Sequence, residues 1–372
     1  MAPGCLACGG PGHVTGTCVA LGAALHRKLS AQGDVVELIL RLLCGGWSWS
    51  AGETRPGRAV LCASHGPRAG DAVAVGDAGG CVHLVCPLTG VRMLSAALAA
   101  PHPVASLCWA SDGESITVAY FKFIRAFDSQ SGAAVTAPLA GHTHAVNSVA
   151  LCARGARLAS GSDDKTVRIW RMPPAAGGQG APEQTLRGHS NSILSVAFEP
   201  HGALLASGSA DKTIRVWDLS TGVALSVFGT DARVNCVAFS SDGARMAAGD
   251  GDYRGGSVRL FDVPSRALIG RALTGHAHAV MSIAWSADGT TLASGGYDKT
   301  IKIWSAPLSS PSPLPLLSPA ERQGDSRLEA TLRSEHPVLC VSLSPDGCQL
   351  VASNGPDVRL CRVHAGALLG AW

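Results

Sequence analysis

The first residues with the types and spacing of a chemical site stand near the start of the chain, in the segment CLACGGPGHVTGTC. Four of them follow the pattern Cys-x2-Cys-x4-His-x4-Cys, namely Cys5, Cys8, His13 and Cys18. Thiolate sulfur and imidazole nitrogen are typical zinc ligands, and these four can close a tetrahedral site around one Zn²⁺ ion. Because every ligand comes from the protein, no position remains for an activated water, and we expect a structural zinc.

A second set of reactive residue types recurs in three similar segments, which begin at Gly141, Gly188 and Gly275. In each segment a His is followed 22 residues later by an Asp and 28 residues later by a Trp. These residues are His142, Asp164, Trp170, His189, Asp211, Trp217, His276, Asp298 and Trp304. Ser, His and Asp together suggest a hydrolase. An active site needs only one such constellation, however, so three copies indicate a structural repeat.

The repeating unit is a series of short strands. In the first strong copy, the segments VNSVAL, LASGS and TVRIW are alternating or wholly apolar, and ARGA and DDKT mark the turns between them. Four weaker copies begin at about residues 57, 101, 229 and 334, which gives seven units over 57–372. Hydrophobic residues make up 46% of the chain, charged residues 15%, and there are 45 Gly, a composition that favours β structure with tight turns.

The segment GH…LASGSADKTIRVWD resembles the repeat of the WD-repeat β-propeller family, in which each unit supplies four strands to one blade. The resemblance implies an all-β fold, a seven-bladed WD-repeat β-propeller. The Cys and His spacing near the start, with Gly9 and Gly12, resembles a CCHC zinc knuckle. We therefore expect a zinc knuckle at 1–18, a short helical arm and linker at 19–56, and the propeller at 57–372, with its strongest repeats at 141–187, 188–228 and 275–305.

The resemblance also implies a hydrogen-bonded tetrad within each strong repeat, in which Asp fixes His, His reaches a Ser, and the Ser meets the Trp N–H. The expected tetrads are His142, Ser160, Asp164 and Trp170; His189, Ser207, Asp211 and Trp217; and His276, Ser294, Asp298 and Trp304. We expect a structural role for them and no catalysis. The weak copies lack the tetrad, since Val85, Phe127, Phe261 and Cys361 stand at the Trp position and Ala248 at a Ser position. Apolar packing alone is expected to hold those blades.

Partner-binding residues are inferred from the same resemblance, which implies that one face of the propeller carries the loops most used for partners. The positions expected to contact protein partners are Asn147, Asp163, Ser192, Leu194, Arg233, Asn235, Tyr253, Arg254, Met281 and Tyr297. Tyr253 and Arg254 belong to the insertion DGDYRGGS in the fifth unit, and such side chains commonly anchor interfaces. Two further insertions, MPPAAGGQGAPEQ and the Pro-rich SAPLSSPSPLPLLSPAERQGDSR, are expected on the opposite face.

The N-terminal segment gives a mixed signal for nucleic acid. Knuckles that grip single-stranded bases combine an aromatic residue after the first Cys with nearby positive charge. Here Leu6 stands at that position, and no Lys or Arg occurs between Cys5 and Cys18. The apolar stripe of residues 19–29 and the capping-like Asp34 and Glu37 predict two short helices after the knuckle.

The net charge and the distribution of cysteines indicate where in the cell the protein is expected. The net charge is +3, from 30 basic and 27 acidic residues, so no strong overall field attracts nucleic acid or an anionic membrane. Most of the 13 Cys lie singly in apolar runs, which is typical of buried thiols in a reducing compartment. We expect an intracellular protein, cytoplasmic or nuclear, without a membrane span.

The sequence thus predicts a non-enzymatic scaffold or adaptor that gathers protein partners on a WD-repeat propeller and binds one structural zinc. The alternative is a factor associated with RNA or single-stranded DNA, in which the knuckle contacts nucleic acid and the propeller recruits partners. Closure of the ring stays open between GALLGAW at the C-terminal end and GGWSWS near Trp47, since either can supply a strand to the last blade.

Overall fold

A computed structural model describes residues 48–50, 59–68, 72–86, 92–97, 102–152, 156–172, 180–306, 327–364 and 367–369. Every regular element in these ranges is a β-strand. The all-β prediction is therefore confirmed for the described part of the chain. The expected knuckle and helices, and most of the Pro-rich insertion, lie outside the described residues.

The strands form seven antiparallel sheets, which we number as blades 1 to 7. The first described strand is β1 (Ser48–Ser50). Six sheets have four strands, called a to d in chain order, and the sheet of blade 7 has β1 as a fifth strand. Blade 1 consists of β2 (Val60–His65), β3 (Val73–Asp77), β4 (Cys81–Val85) and β5 (Arg92–Ala97). Blade 2 consists of β6 (Val104–Trp109), β7 (Ser115–Tyr120), β8 (Phe123–Asp128) and β9 (Leu139–Ala140). Blade 3 consists of β10 (Val146–Leu151), β11 (Arg157–Ser162), β12 (Thr166–Arg171) and β13 (Gln184–Arg187).

Blades 4 to 7 complete the set. Blade 4 consists of β14 (Ile193–Phe198), β15 (Leu204–Ser209), β16 (Thr213–Asp218) and β17 (Ala224–Gly229). Blade 5 consists of β18 (Val234–Phe239), β19 (Arg245–Asp252), β20 (Gly255–Asp262) and β21 (Ala267–His276). Blade 6 consists of β22 (Val280–Trp285), β23 (Thr291–Gly296), β24 (Thr300–Ser305) and β25 (Leu328–Arg333). Blade 7 contains β26 (Val341–Leu343), β27 (Gln349–Asn354), β28 (Asp357–His364) and β29 (Ala367–Leu369).

The blades form a closed ring around their a strands. Each a strand contacts the a strand of the next blade, and β26 of blade 7 contacts β2 of blade 1. A ring of seven such sheets is a seven-bladed β-propeller, so this part of the prediction is confirmed. Closure in a ring also covers the two faces of each sheet with its neighbours.

Apolar residues between neighbouring blades form the core. The pattern follows from strand alternation, since one face of each strand meets the next blade. Glycine on strand b permits the close approach of the next blade. A Cβ added to Gly161 would lie 2.6 Å from Ile193 of the next blade, and one added to Gly208 would lie 2.6 Å from Val234. A larger residue at either position would force two blades apart or displace a β-branched side chain.

A hydrogen bond from a backbone N–H to a side chain joins successive a strands. Its acceptor is a Ser on strand a, which takes a backbone N–H from the next blade at 3.0 to 3.1 Å in four junctions. These residues are Ser106, Ser148, Ser195 and Ser282. At the junction that closes the ring, Cys340 Sγ takes this place and accepts the Ala63 N–H at 3.2 Å. Two further cysteines, Cys62 and Cys236, occupy the same register in blades 1 and 5.

These buried thiols have low reactivity. Burial raises the pKa values of Cys62, Cys236 and Cys340 above the usual value for a thiol. Burial likewise raises the pKa of Cys108 to about 12 and that of Cys361 to about 12. A thiol that stays protonated is a poor nucleophile. Packing and weak hydrogen bonding therefore account for these cysteines.

Both segments that the sequence offered for ring closure take part. Strand β1 pairs with the first half of β28, from Asp357 to Arg359, and β29 pairs with its second half, from Arg362 to His364. The outer edge of blade 7 is therefore shared by two segments that are distant in sequence. Neither alternative alone describes the closure.

Candidate functional site: tetrads and upper face

The three tetrads have nearly the same geometry in blades 3, 4 and 6. In blade 4, His189 Nδ1 lies 2.8 Å from Asp211 Oδ2, and His189 Nε2 lies 2.7 Å from Ser207 Oγ. Trp217 Nε1 donates to the same Ser207 Oγ at 2.8 Å. The corresponding distances are 2.7, 2.7 and 2.8 Å in blade 3 and 3.0, 2.8 and 2.8 Å in blade 6. The structure brings together all the residues expected in each tetrad.

The protonation states of Asp211 and His189 determine which atoms donate and which accept in the tetrad of blade 4. Burial alone would raise the pKa of Asp211, but hydrogen bonds from Thr213 and the Ser190 amide help to lower it to about 2. Burial lowers the pKa of His189 below 6.5, against the opposing effect of Asp211. At neutral pH a neutral His189 therefore donates through Nδ1 to an ionised Asp211. Ser207 in turn donates to His189 Nε2 and accepts from Trp217.

This Ser-His-Asp order is that of a hydrolase triad, yet the surroundings exclude that chemistry. The Ser207 side chain is fully buried, at 0% exposure, and the Trp217 N–H already occupies its oxygen. Ser160 and Ser294 are also 0% exposed. Since a nucleophile must reach its substrate, the geometry fits a network that satisfies buried polar groups.

The weak blades do not rely on apolar packing alone, so that prediction is wrong for blade 5. Arg259 Nε donates to the buried Asp250 Oδ2 at 2.9 Å, and Arg259 Nη2 donates to Asp231 Oδ2 at 2.6 Å. The aromatic rings of Phe228 and Phe261 pack with centroids 4.6 Å apart. An ion-pair network thus takes the place of the tetrad.

The turns between strands b and c share one face with the loops that enter strand a, and we call it the upper face. Backbone hydrogen bonds join the two sets of loops in each of several blades. Asp163 N donates to Ala145 O at 2.9 Å in blade 3, and Tyr297 N donates to Ala279 O at 2.9 Å in blade 6. The residues expected to bind partners lie on or under this face.

Two asparagines expected on this face serve as links between blades. Asn147 Nδ2 donates to Ile193 O of the next blade at 3.0 Å and to Asp163 Oδ1 at 2.7 Å. Asn235 Nδ2 donates to Val280 O at 3.0 Å, and its residue is only 8% exposed. The expectation that Asn235 contacts a partner is therefore corrected. Its amide is used inside the ring, where it joins blade 5 to blade 6.

The other expected contacts differ in accessibility. Ser192, Leu194 and Met281 are half-buried at the rim of the upper face. Exposed side chains are those of Asp163, Arg233, Tyr253, Arg254 and Tyr297. Only the exposed residues can offer most of their surface to a partner without a change of conformation.

The insertion in blade 5 extends the b–c hairpin, since β19 and β20 each have eight residues. Tyr253 at its tip is 72% exposed, and the Arg254 guanidinium lies 5.3 Å from its ring centroid. His278, in the loop that enters blade 6, has Nδ1 3.0 Å from Tyr253 O. Tyr297 on the b–c turn of blade 6 is 55% exposed. We call Tyr253, Arg254, His278 and Tyr297 the aromatic patch.

Sequence reasoning missed three features of the upper face. His278 joins the patch through its contact with the hairpin. In blade 2, the exposed Phe121 stacks on His102 with centroids 4.9 Å apart, and the run YFKF at a tight turn could have signalled it. Blade 1 gathers Asp77, Cys81 and His83, whose spacing Asp-x3-Cys-x-His could also have been noticed.

A comparison with family models identifies four segments as "WD domain, G-beta repeat", at residues 134–171, 180–218, 222–262 and 269–305. These segments fall in blades 3 to 6, with the first also covering the end of blade 2. The resemblance seen in the sequence is therefore shown for the WD repeats. Among the described residues, no helical segment combines the length and hydropathy that a membrane span requires.

Several curated proteins share part of this sequence. WD repeat-containing protein 1 of Xenopus tropicalis is 41% identical over 73 residues, 19% of this chain and 12% of the relative. Pre-mRNA-processing factor 19 homolog 2 of Arabidopsis thaliana is 32% identical over 181 residues, 48% of this chain and 33% of the relative. U3 small nucleolar RNA-associated protein 12 of Saccharomyces cerevisiae is 33% identical over 107 residues, 27% of this chain and 11% of the relative.

The matched segments span a third or less of the length of each of these three relatives. The four matched segments and the seven sheets together show that the chain carries WD repeats within a seven-bladed β-propeller.

Proposed function

We propose that this protein is a non-enzymatic scaffold that binds protein partners through the upper face of its propeller, chiefly through the aromatic patch. The observation that carries the proposal is the exposure of two tyrosines on neighbouring blades, Tyr253 at 72% and Tyr297 at 55%. Large aromatic side chains in water are unusual, and Tyr and Arg are enriched in the residues that dominate binding energy at interfaces.

The backbone of the patch is already positioned. The extended hairpin of blade 5 is hydrogen-bonded along its length, with Asp252 opposite Gly255 at its end. His278 connects this hairpin to the loop of blade 6, and Tyr297 N–H binds Ala279 O next to it. A preorganised surface loses less conformational entropy on binding than a flexible one. This favours recognition of a folded or extended protein segment by the patch.

Two parts of the proposal extend beyond the described residues. We propose that Cys5, Cys8, His13 and Cys18 hold one structural Zn²⁺, on the basis of their spacing. We also propose an intracellular location, cytoplasmic or nuclear, on the basis of the scattered cysteines, nine of which form no disulfide in the described part of the chain.

The proposal is tested by quantitative affinity purification of the full chain from its native cells. The Tyr253→Ala/Tyr297→Ala variant is compared with wild type. Loss of two central aromatic anchors commonly costs several kcal/mol, so we expect at least a tenfold loss of the stoichiometric partner. Binding is then measured with the purified partner by titration calorimetry.

Val223→Ala is the matched control, because Val223 is 60% exposed and lies in the c–d turn on the opposite face. It should retain the partner. Thermal midpoints of all three proteins should agree within about 2 °C, since the changed side chains are on the surface. Equal partner recovery by wild type and the double variant would refute the role of the patch.

The second candidate is a factor associated with nucleic acid, and the names of relatives favour it. Besides the two RNA-related proteins above, a Poly(A)+ RNA export protein of Schizosaccharomyces pombe is 38% identical over 72 residues, 19% of this chain and 20% of the relative. Salt-dependent binding of a single-stranded oligonucleotide, abolished by Cys8→Ser, would support it. Salt-independent or absent binding would leave the protein scaffold as the better account.

A further inference from the structure

Blade 1 contains a cluster of metal-ligand types that no other described blade contains. Asp77 ends strand b, and Cys81 and His83 lie two residues apart on strand c. One carboxylate oxygen, the Cys81 sulfur and a ring nitrogen of His83 all lie within 4.8 Å of one another. We propose that Asp77, Cys81 and His83 bind a single Zn²⁺ ion, separate from the one proposed for the N-terminal knuckle.

The distances suit zinc. Asp77 Oδ2 and His83 Nε2 are 3.3 Å apart. With metal bonds of about 2.0 Å, two ligands of a tetrahedral zinc site are separated by about 3.3 Å. Residues 81 and 83 alternate to the same face of their strand, so the thiol and the imidazole point to one side of the sheet. Zinc–sulfur bonds are longer, about 2.3 Å, so the Cys81 sulfur can stand farther from the other two ligand atoms than they stand from each other.

The carboxylate is oriented before any metal arrives. Asp77 Oδ1 accepts the N–H groups of Gly79 and Cys81, each at 2.8 Å. These bonds turn the second oxygen, Oδ2, toward His83. Hydrogen bonds of this kind fix ligands around metal centres and raise metal affinity.

In blade 5, the corresponding positions do not all carry residues of types that bind metal ions. There Asp250, Ser257 and Arg259 stand at the positions of Asp77, Cys81 and His83. Arg259 Nε binds Asp250 Oδ2 at 2.9 Å, and Ser257 Oγ binds Asp250 Oδ1 at 2.7 Å. A permanent cation therefore faces the buried carboxylate in blade 5.

In blade 1 the guanidinium is replaced by an imidazole and the hydroxyl by a thiol. On zinc binding, the Cys81 thiol releases its proton to solvent and becomes a thiolate ligand. The charges of Zn²⁺, one thiolate and one carboxylate then cancel, which is favourable at a site where Asp77 is 4% and His83 1% exposed. Sulfur and nitrogen ligands select zinc over Mg²⁺ and Ca²⁺, which prefer oxygen.

The exposure of the three ligand residues indicates how the metal reaches the site and where its fourth ligand lies. Cys81 is only half-buried, whereas its two companions are buried, so the metal enters beside the sulfur. Three protein ligands leave one position of the tetrahedron for water or for a donor from a partner on the upper face.

The test uses the full chain with the knuckle inactivated by Cys5→Ser/Cys8→Ser. After removal of metal, the protein is dialysed against micromolar zinc, and bound zinc is measured by mass spectrometry of the metal. We expect about one equivalent in this background. Addition of His83→Arg should abolish it, and Cys81→Ser should weaken it at least tenfold. With Co²⁺, the thiolate-to-metal charge-transfer band should disappear in Cys81→Ser.

The His83→Arg variant is the matched structural control, because it recreates the Asp–Arg pair of blade 5. It should fold with the thermal midpoint of the metal-free protein, while zinc should raise the midpoint of the background protein only. Cys348→Ser, which changes an exposed cysteine on the opposite face, should bind zinc normally. Absence of zinc in the background protein, or equal zinc in His83→Arg, would overturn the proposal whatever the knuckle does.

Discussion

Acidification should weaken the junction that closes the ring, through His65 at the end of strand β2. This side chain faces blade 7, where its Nδ1 lies 3.2 Å from Ser342 Oγ. Its Nε2 is buried and has no hydrogen-bond partner in the described part of the chain. Burial lowers the pKa of His65 from 6.5 to about 4, and the nearby negative charge of Asp346 offsets only part of this effect. The neutral imidazole is therefore the form that the folded protein accepts.

The sign and size of the effect follow from proton linkage. Between pH 6.5 and 4 the unfolded chain binds a proton at His65 that the folded chain excludes. Stability is therefore fully present above pH 6.5 and is lost as the pH falls toward 4. A pKa difference of this size corresponds to about 3 kcal/mol when the loss is complete. By pH 5 the loss is about 2 kcal/mol.

The assay compares wild type with His65→Leu by urea unfolding at pH 7.5 and pH 5. Leucine is chosen because Leu151 and Leu343 stand at the same position in blades 3 and 7. Other histidines titrate in both proteins, so the difference of the two pH effects isolates His65. Wild type should lose about 2 kcal/mol more than the variant between the two pH values.

The control is His201→Gln, because the His201 side chain is 75% exposed and Gln keeps a polar group beside Glu199. If His65→Leu and wild type lose the same stability on acidification, the imidazole titrates normally. The reasoning from burial and the missing partner of Nε2 would then be refuted.

Two further substitutions test the polar groups inside the ring. Asp211→Ala removes the acceptor of His189 and of Thr213, so we expect the free energy of unfolding to fall by about 2 to 4 kcal/mol. The thermal midpoint, measured by differential scanning calorimetry, should fall by several degrees, while partner binding stays unchanged. Asp163→Ala is the control at an exposed residue. Arg245→Met removes a buried guanidinium that donates to two carbonyl groups of blade 6 at 2.6 and 2.9 Å, so we expect a loss of about 2 to 3 kcal/mol in urea unfolding. An unchanged midpoint in either variant would contradict its assigned role.

Much of the fold could be predicted because its signals are local and repeated. The spacing of His189, Asp211 and Trp217 recurs with fixed intervals, so a single chain contains several observations of the same pattern. The weak blades were recognisable without the tetrad because strand alternation and turn residues survive in them. Ring closure is different, since several segments can satisfy one strand edge and local sequence does not rank them.

The candidate site was less predictable because it depends on what faces each residue. Asn147 and Asn235 occupy the same repeat position, yet the second is buried, because the neighbouring turn around Gly251 lies over it. Asp77, Cys81 and His83 escaped notice because none stands at a position where the repeat pattern directs attention. Only the pairing of strands b and c brings the three together.

The shared outer edge of blade 7 has a consequence for how the protein is made. Ser48 pairs with Arg359, so β1 has no partner on this strand until residue 359 has left the ribosome. The described sheets of blades 1 to 6 each come from one continuous stretch and can form during synthesis. Blade 7 is different, since its sheet combines residues 48–50 with residues 341–369, so its assembly must wait until both segments have been made.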